Sequence, residues 1–296
     1  MQTEQAAGFE IVADGFDFVE APRITADGDV WFSDLTGGGI YRKQAGKQVE
    51  TMHADRQWVG GMVFDQSGHV ICGGRGGIIA LDPATGRSID ILTEIEGQPI
   101  IAVNDMEADG RGGLFAGTID FVSIMEKGED PSPGVFFHLS AAGEVTVLRR
   151  DVFASNGIAF SPCGQFLYHS ETSRGIWRYP LGANGLPEPG QLLVEEEAAD
   201  GLACDRDGNL WLACWSTGRL NQYSADGTAL QALTFPAPHV VSLAFGSNDP
   251  NSLYIATGGN EDAPRAGGVL RMPVEIAGLA SAQTKLGCLA GSDQVR

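Results

Sequence analysis

Apolar and polar residues alternate along this chain in short runs rather than in long helical periods. A typical run is four to eight residues, ends at a glycine turn, and resumes as a strand rich in aromatic and β-branched residues. Five such units follow one another: "EAPRITADGDVWFSD", "GGMVFDQSGHVICGG", "NDMEADGRGGLFAGT", "NGIAFSPCGQFLYHS" and "DGLACDRDGNLWLAC". A sixth, looser copy reads "VSLAFGSNDPNSLYIAT". Each is followed by a further strand-like segment, such as "GIYRK" or "GIWRYPLGANG". The turn glycines Gly28, Gly68, Gly112, Gly164 and Gly208 lie 40, 44, 52 and 44 residues apart. A repeat of roughly 40–50 residues with four strands per unit predicts a β-propeller. Six copies fit 296 residues. The expected fold is therefore all-β, a six-bladed β-propeller with four-stranded antiparallel blades, forming one domain over residues 1–296. The start "FEIVADGF" and the tail "TKLGCLAGS" are both strand candidates, expected to close the same blade.

The repeat also carries chemistry. Eight residues before the successive turn glycines stand Glu20, Gly60, Asn104, Asn156 and Asp200, and the sixth equivalent falls near Val241. Ten residues after each comes an apolar strand residue (Val30, Val70, Leu114, Phe166 and Leu210), so the register holds through the turn. In the run "AADGLACDRDGNLWLACW", Asp207-Gly208 is thus the hairpin turn, and Asp200-Gly201 occupies a different, fixed place in the unit. Equivalent positions of a propeller are related by rotation about its axis, so Glu20, Asn104, Asn156 and Asp200 are expected to ring one mouth of the central channel. Converging carboxylates and amides, partly desolvated, are resolved by a divalent cation with oxygen ligands. Calcium is the first choice, with Mg²⁺, Mn²⁺ and Zn²⁺ as alternatives.

Charge and composition narrow the partners. Nineteen basic against 38 acidic residues give a net charge of −19, which disfavours nucleic acid and anionic membrane surfaces. Cys72, Cys163, Cys204, Cys214 and Cys288 are odd in number and form no Cys-x-x-Cys pair, which argues against a disulfide framework or a zinc-thiolate site. No signal-peptide pattern opens the chain and no apolar run approaches a membrane span, so a cytoplasmic protein is expected, a monomer or weak dimer acting on a small molecule. The five histidines show no metal-ligand spacing, and no Gly-x-Ser-x-Gly elbow occurs. "GGRGG" (residues 73–77) follows a strand without opening a helix, a poor phosphate loop.

"VEAPRI", "VNDMEADGRGGLFAGT", "SNGIAFSPCGQFLYHSE" and "ADGLACDRDGNLWLACWSTGRL" resemble the senescence-marker-protein / gluconolactonase / regucalcin family, from about Val19 to about Thr257. The resemblance implies a six-bladed propeller with one divalent metal at the channel mouth and, in many members, lactonase activity on sugar lactones. It places metal ligands on Glu20, Asn156 and Asp200, and a substrate- or metal-adjacent residue on Asn104. One departure is clear: where sugar lactonases read Arg-x-Asn-Asp, this chain reads "IAVND", with Ala102 in place of the arginine. Arg23 is a candidate replacement cation. Asp105 and Asp120 are further candidates for substrate contact, and Trp58, His169, Glu171 and Trp215 form a weaker tier near the same mouth. The expected reaction is metal-assisted lactone hydrolysis with Asp200 as general base. A metal-dependent lyase, dehydratase or isomerase acting on a small hydroxy or keto acid, and a calcium-binding scaffold without catalysis, are the alternatives.

Overall fold

The computed structural model describes residues 3–289. It is nearly all β-structure, a six-bladed propeller. The innermost strands of blades 1 to 6 are Val19–Ile24, Met62–Phe64, Ala102–Ala108, Ser155–Phe160, Ala199–Cys204 and His239–Phe245. Each runs down the channel wall into a hairpin turn and is followed outward by three antiparallel strands. In blade 5 the turn glycine Gly208 has φ +87°, and its amide closes onto the Asp205 carbonyl at 3.0 Å. Turns of this kind let a 40–50-residue unit fold on itself four times, with β-branched and aromatic residues filling both faces of every sheet.

The core is distributed rather than central. Six buried apolar clusters lie one between each pair of neighbouring blades, for example Phe115, Phe136, Ile158 and Leu167 between blades 3 and 4. Stacked sheets of this kind bury both faces and leave the channel lining to the inner strands.

The N-terminal segment closes the ring as expected. Strand Glu10–Phe16 pairs antiparallel with Gly267–Pro273 and supplies the outermost strand of blade 6. The C-terminal segment does not share that blade. After Pro273 it crosses the turn end of the channel: the Leu279 amide meets Cys204, Thr284 bridges beside Asp65, and Leu286 and Leu289 enter the core between blades 2 and 3. The expected closing strand "TKLGCLAGS" is thus a strap, and its residues 290–292 lie outside the described residues. Closure needs only one chain end here, because blade 6 already draws three strands from residues 239–273. A short strand, Thr3–Gln5, also adds parallel to Ala229–Thr234 as a fifth strand of blade 5.

Candidate metal centre at the channel mouth

One local distortion recurs at the same repeat position. In blade 3 the strand pairing steps from Val103–Thr118 to Met106–Ala116, leaving Asn104 and Asp105 opposite a single residue. Blade 4 does the same at Asn156-Gly157 and blade 5 at Asp200-Gly201, and in blade 1 it comes one residue later, at Ala21-Pro22, with Glu20 still paired to Ser33. Each is a β-bulge, which turns side chains out of the sheet alternation and toward the channel. Asp200-Gly201 is therefore a bulge, not a turn.

Its glycine meets a steric need. Gly201 and Gly157 do not adopt positive φ. A Cβ on Gly201 would lie 2.6 Å from the Cα of Ser242, and one on Gly157 would lie 2.1 Å from the amide nitrogen of Leu202. The inner strands of adjacent blades converge here with no room for a side chain. Gly60 is bare for the same reason: a Cβ there would come within 1.9 Å of the Asn104 amide oxygen. The residue after the repeat position is small in five blades (Ala21, Gly61, Gly157, Gly201 and Ser242) and is Asp105 in blade 3.

The structure thus gathers Glu20, Asn104, Asp105, Asn156 and Asp200 around the channel, all buried. Asn104 Nδ2 donates to the Ser155 carbonyl and to Asn156 Oδ1, both at 2.7 Å, and Asn156 Nδ2 donates to Thr172 Oγ1 at 2.7 Å. Thr172 Oγ1 in turn donates to the Ala199 carbonyl at 2.7 Å, and Ser170 Oγ donates to the carbonyl of Asp200. These contacts fix the two amides and the strand beneath Asp200. Among the described residues Glu20, Asp105 and Asp200 make no ion pair, and Arg23 pulls only on Asp105. Burial, then Asp200 and Asp105, push Glu20 well above the usual carboxylate range, against a hydrogen bond from Ser242. Burial and Asp105 do the same to Asp200. Burial and the Glu107 charge lift Asp105 to about 7, against the pull of Arg23. Three buried carboxylates that raise one another's proton affinity describe a site short of positive charge.

Among the described residues no cluster of three or more His, Cys, Asp and Glu is spaced as a metal-ligand set. The donors that do converge mix carboxylates with amides, an all-oxygen set suited to a hard divalent cation. Asn156 Oδ1 accepts one hydrogen bond and keeps a second lone pair. The residues present therefore fit such an ion.

The other candidates lie elsewhere. Arg23 points into the channel on the turn side of the ring, where Nη2 donates to the Met106 carbonyl at 3.0 Å and to Glu107 Oε2 at 3.1 Å. It borders a cavity of about 330 Å³ closed by the C-terminal strap at Leu279–Ala282. Asp120 caps the π-helical turn Val122–Lys127. Its oxygens accept from Ser123 N, Ser123 Oγ and Ser132 N, which hold its carboxyl down to about 2. Arg23 acts on Asp105 through its charge, and among the described residues neither Arg23 nor Asp120 makes a side-chain hydrogen bond to the ring. His169 is fully buried, stacked on Phe136 at 4.2 Å and hydrogen-bonded to Ser155, and Glu171 pairs with Arg149. Trp58 and Trp215 stand on the mouth side, Trp58 against Phe121 and Trp215 against His239. The supporting hydroxyls Ser170, Thr172 and Ser242 were not singled out from sequence. Ser242 alone had a usable signal, as the residue after the repeat position of blade 6.

A six-bladed propeller with a ring of oxygen donors at one channel mouth defines the class. Residues 18–259 match the family described as the SMP-30/Gluconolactonase/LRE-like region, and the chain belongs to that family. It is 30% identical to a 6-deoxy-6-sulfogluconolactonase of Pseudomonas putida, over 88% of this chain and 95% of that protein. It is 27% identical to a regucalcin of Danio rerio, over 78% of this chain and 79% of that protein. Among solved structures, a regucalcin from Agrobacterium tumefaciens superposes with a TM-score of 0.84 at 23% identity, covering 97% of this chain and all of that one, which shows the shared fold.

Proposed function

We propose that this protein hydrolyses a lactone with the help of a divalent cation held by Glu20, Asn156 and Asp200. The observation that carries the reading is the buried, mutually repelling set of carboxylates on aligned bulges; membership of a family with named lactonases supports it. When bound, the cation supplies Lewis-acid polarisation of the lactone carbonyl and compensates the negative charge of the ring. All donors are oxygen, so calcium is the preferred ion.

The chain's own groups do the rest. Asp200, ionised once compensated, takes the proton from the attacking water as its oxygen bonds to the carbonyl carbon. Collapse of the tetrahedral adduct breaks the ring C–O bond, and the same proton returns from Asp200 to the departing alkoxide. Glu20 remains a charge-balancing ligand. Asn104, locked to Ser155 and Asn156, orients the substrate beside Asp105. The test is lactone hydrolysis across a panel of ring sizes and polarities, with and without chelator, on wild type and Asp200→Ala. Turnover lost on chelation and in the variant is the expected result. A folded, cation-loaded protein that opens no lactone in the panel overturns the reading.

A further inference from the structure

The glycine-rich run Gly73–Gly77 has no role in the ring just described, yet the structure builds it with care at the mouth. Strand Gly74–Arg75 adds to the channel-side edge of blade 3, pairing antiparallel with Ala102 and Val103. Arg56 pins the run from beneath, Nε donating to the Gly73 carbonyl at 3.2 Å and Nη2 to the Gly77 carbonyl at 2.6 Å. A Cβ on Gly73 would lie 2.7 Å from the Val103 carbonyl, and one on Gly74 would lie 2.7 Å from that of Gln57. Only glycines let this ribbon lie so close to the start of the inner strand.

The consequence is the placement of Arg75. It sits directly across from Ala102, two residues before the bulged Asn104. Two residues of strand span about 7 Å, within reach of an arginine side chain. The guanidinium stacks on the Trp58 ring at 4.3 Å, and Trp58 packs on Phe121. Arg75 Nη1 makes both of its side-chain contacts, to Glu126 Oε1 at 2.8 Å and Gln57 Oε1 at 3.3 Å, so Nη2 has no partner among the described residues. The ion pair with Glu126 is half-exposed on both sides, 48% and 47%. Pairs this exposed contribute little and exchange readily. A cation held flat on an indole, with donors to spare and an exchangeable counter-ion, is built to receive an oxyanion bidentately.

Resting on the lactonase reading, we propose that Arg75 determines substrate choice by receiving an anionic substituent of the lactone (a carboxylate, sulfonate or phosphate), displacing Glu126. The substrate class is thus an acidic lactone rather than a neutral one. Trp58 fixes the guanidinium plane, and Arg56 positions the ribbon that carries it.

The experiment compares gluconolactone with phosphogluconolactone and glucarolactone on cation-loaded wild type, Arg75→Gln, Arg75→Lys and Glu126→Gln. In Arg75→Gln the kcat/KM ratio of anionic to neutral lactone falls about 10- to 100-fold, mainly through KM, as expected for losing a charged hydrogen-bond partner. Arg75→Lys restores part of the ratio. Glu126→Gln shifts it the opposite way, lowering KM for the anionic lactones a few-fold. An unchanged ratio in Arg75→Gln, or equal loss on neutral and anionic lactones, overturns the proposal. If wild type opens none of the three, the lactonase reading fails, and calorimetric titration with phosphogluconate and gluconate decides on Arg75 alone. Phosphogluconate binding that Arg75→Gln weakens supports the subsite; binding equal for both anions and both proteins overturns it.

Discussion

Asp200 and Asp205 stand at opposite ends of one inner strand, five residues apart, both buried, and their surroundings differ in kind. Asp205 accepts from the amides of Asp207 and Asn209, from the Asn209 side chain and from the Trp211 indole at 3.1 Å. Every donor comes from its own hairpin, so its charge knits the turn. Asp200 faces Glu20 and Asp105, and its proton affinity rises in consequence. Asp65, the Asp205 counterpart in blade 2, is held below the ordinary carboxylate range by Ser67, Leu286 and Thr284 although burial opposes this. The same residue type thus serves structure at the turn end and is left short of positive charge at the mouth. The fold can sustain that deficit because the turn-end carboxylates are fully satisfied.

The comparison predicts opposite phenotypes. Asp200→Ala lowers kcat/KM for lactone hydrolysis by about 10³-fold or more, since it removes both the base and a ligand. The cation-free variant melts no lower than the cation-free wild type, because a like-charge repulsion has been deleted. Chelation reproduces the loss of activity in wild type and lowers its melting temperature, whereas it scarcely moves that of Asp200→Ala. Paired scanning calorimetry and initial rates check all three; a large thermal loss in cation-free Asp200→Ala would show that Asp200 is structural after all.

Asp205→Ala shows the converse. Several buried donors lose their acceptor at once, and stability drops by about 2–4 kcal/mol by urea unfolding, while activity per folded molecule is retained. If activity fell with stability preserved, the two ends of the strand would not be separable.

How much of this contrast was legible beforehand follows from what a repeat records. Phase counting from Gly28 to Gly208 found the inner strands, the turns and the four oxygen donors, because the unit recurs once per blade and rotation superposes its equivalent positions. It singled out Asp200 without revealing why a glycine follows: an Asp-Gly pair in a bulge and one in a turn read alike, and only the 2.6 Å approach to Ser242 separates them. Arg23 was a candidate because Ala102 stands where the family has an arginine, and Asp120 because it lies at a strand end. Arg23 lies beyond the bulge, where it faces Glu107, and Asp120 meets its serine partners only once the π-helical turn has formed. The C-terminal strap belongs to no repeat, so its short alternation suggested a blade strand. Arg75 sat in a glycine run that the sequence marked only as a poor phosphate loop.

A smaller effect separates steric from conformational glycines. Gly157→Ala places a Cβ 2.1 Å from the Leu202 amide nitrogen, and blades 4 and 5 must part to admit it. A loss of about 1–3 kcal/mol is expected, with weakened cation affinity, because Asn156 and Asp200 flank the forced gap. Gly208→Ala, strained by φ +87° but with its nearest neighbour at 3.6 Å, loses about 1 kcal/mol and leaves cation affinity unchanged. Equal effects on cation binding would mean that the inner-strand spacing does not shape the ring.

The smallest predicted effect is a pH dependence of the cation-free protein. Asp65, Asp109 and Asp120 are held low and stay ionised from pH 5 to 8, whereas buried His169, held down to about 3, adds stability as pH rises through the unfolded histidine value of about 6.5, so the mouth is read as the difference between wild type and Asp105→Asn. There Asp105 is lifted to about 7, while an unfolded carboxylate titrates near 4. The folded state binds that proton more tightly, so its stabilising contribution is complete below about pH 4 and is lost as pH rises through 7. Without cation the wild-type melting temperature should fall relative to that of Asp105→Asn between pH 5 and 8, by a drop on the order of 5 °C. Asp105→Asn removes this contribution and leaves that of His169, since the amide keeps the volume and discards the charge. Saturating calcium abolishes the difference as well, by supplying the positive charge that the proton otherwise provides. Equal slopes for cation-free wild type and Asp105→Asn would place the titrating group outside the ring and leave Asp105 no more than a buried neighbour of Arg23.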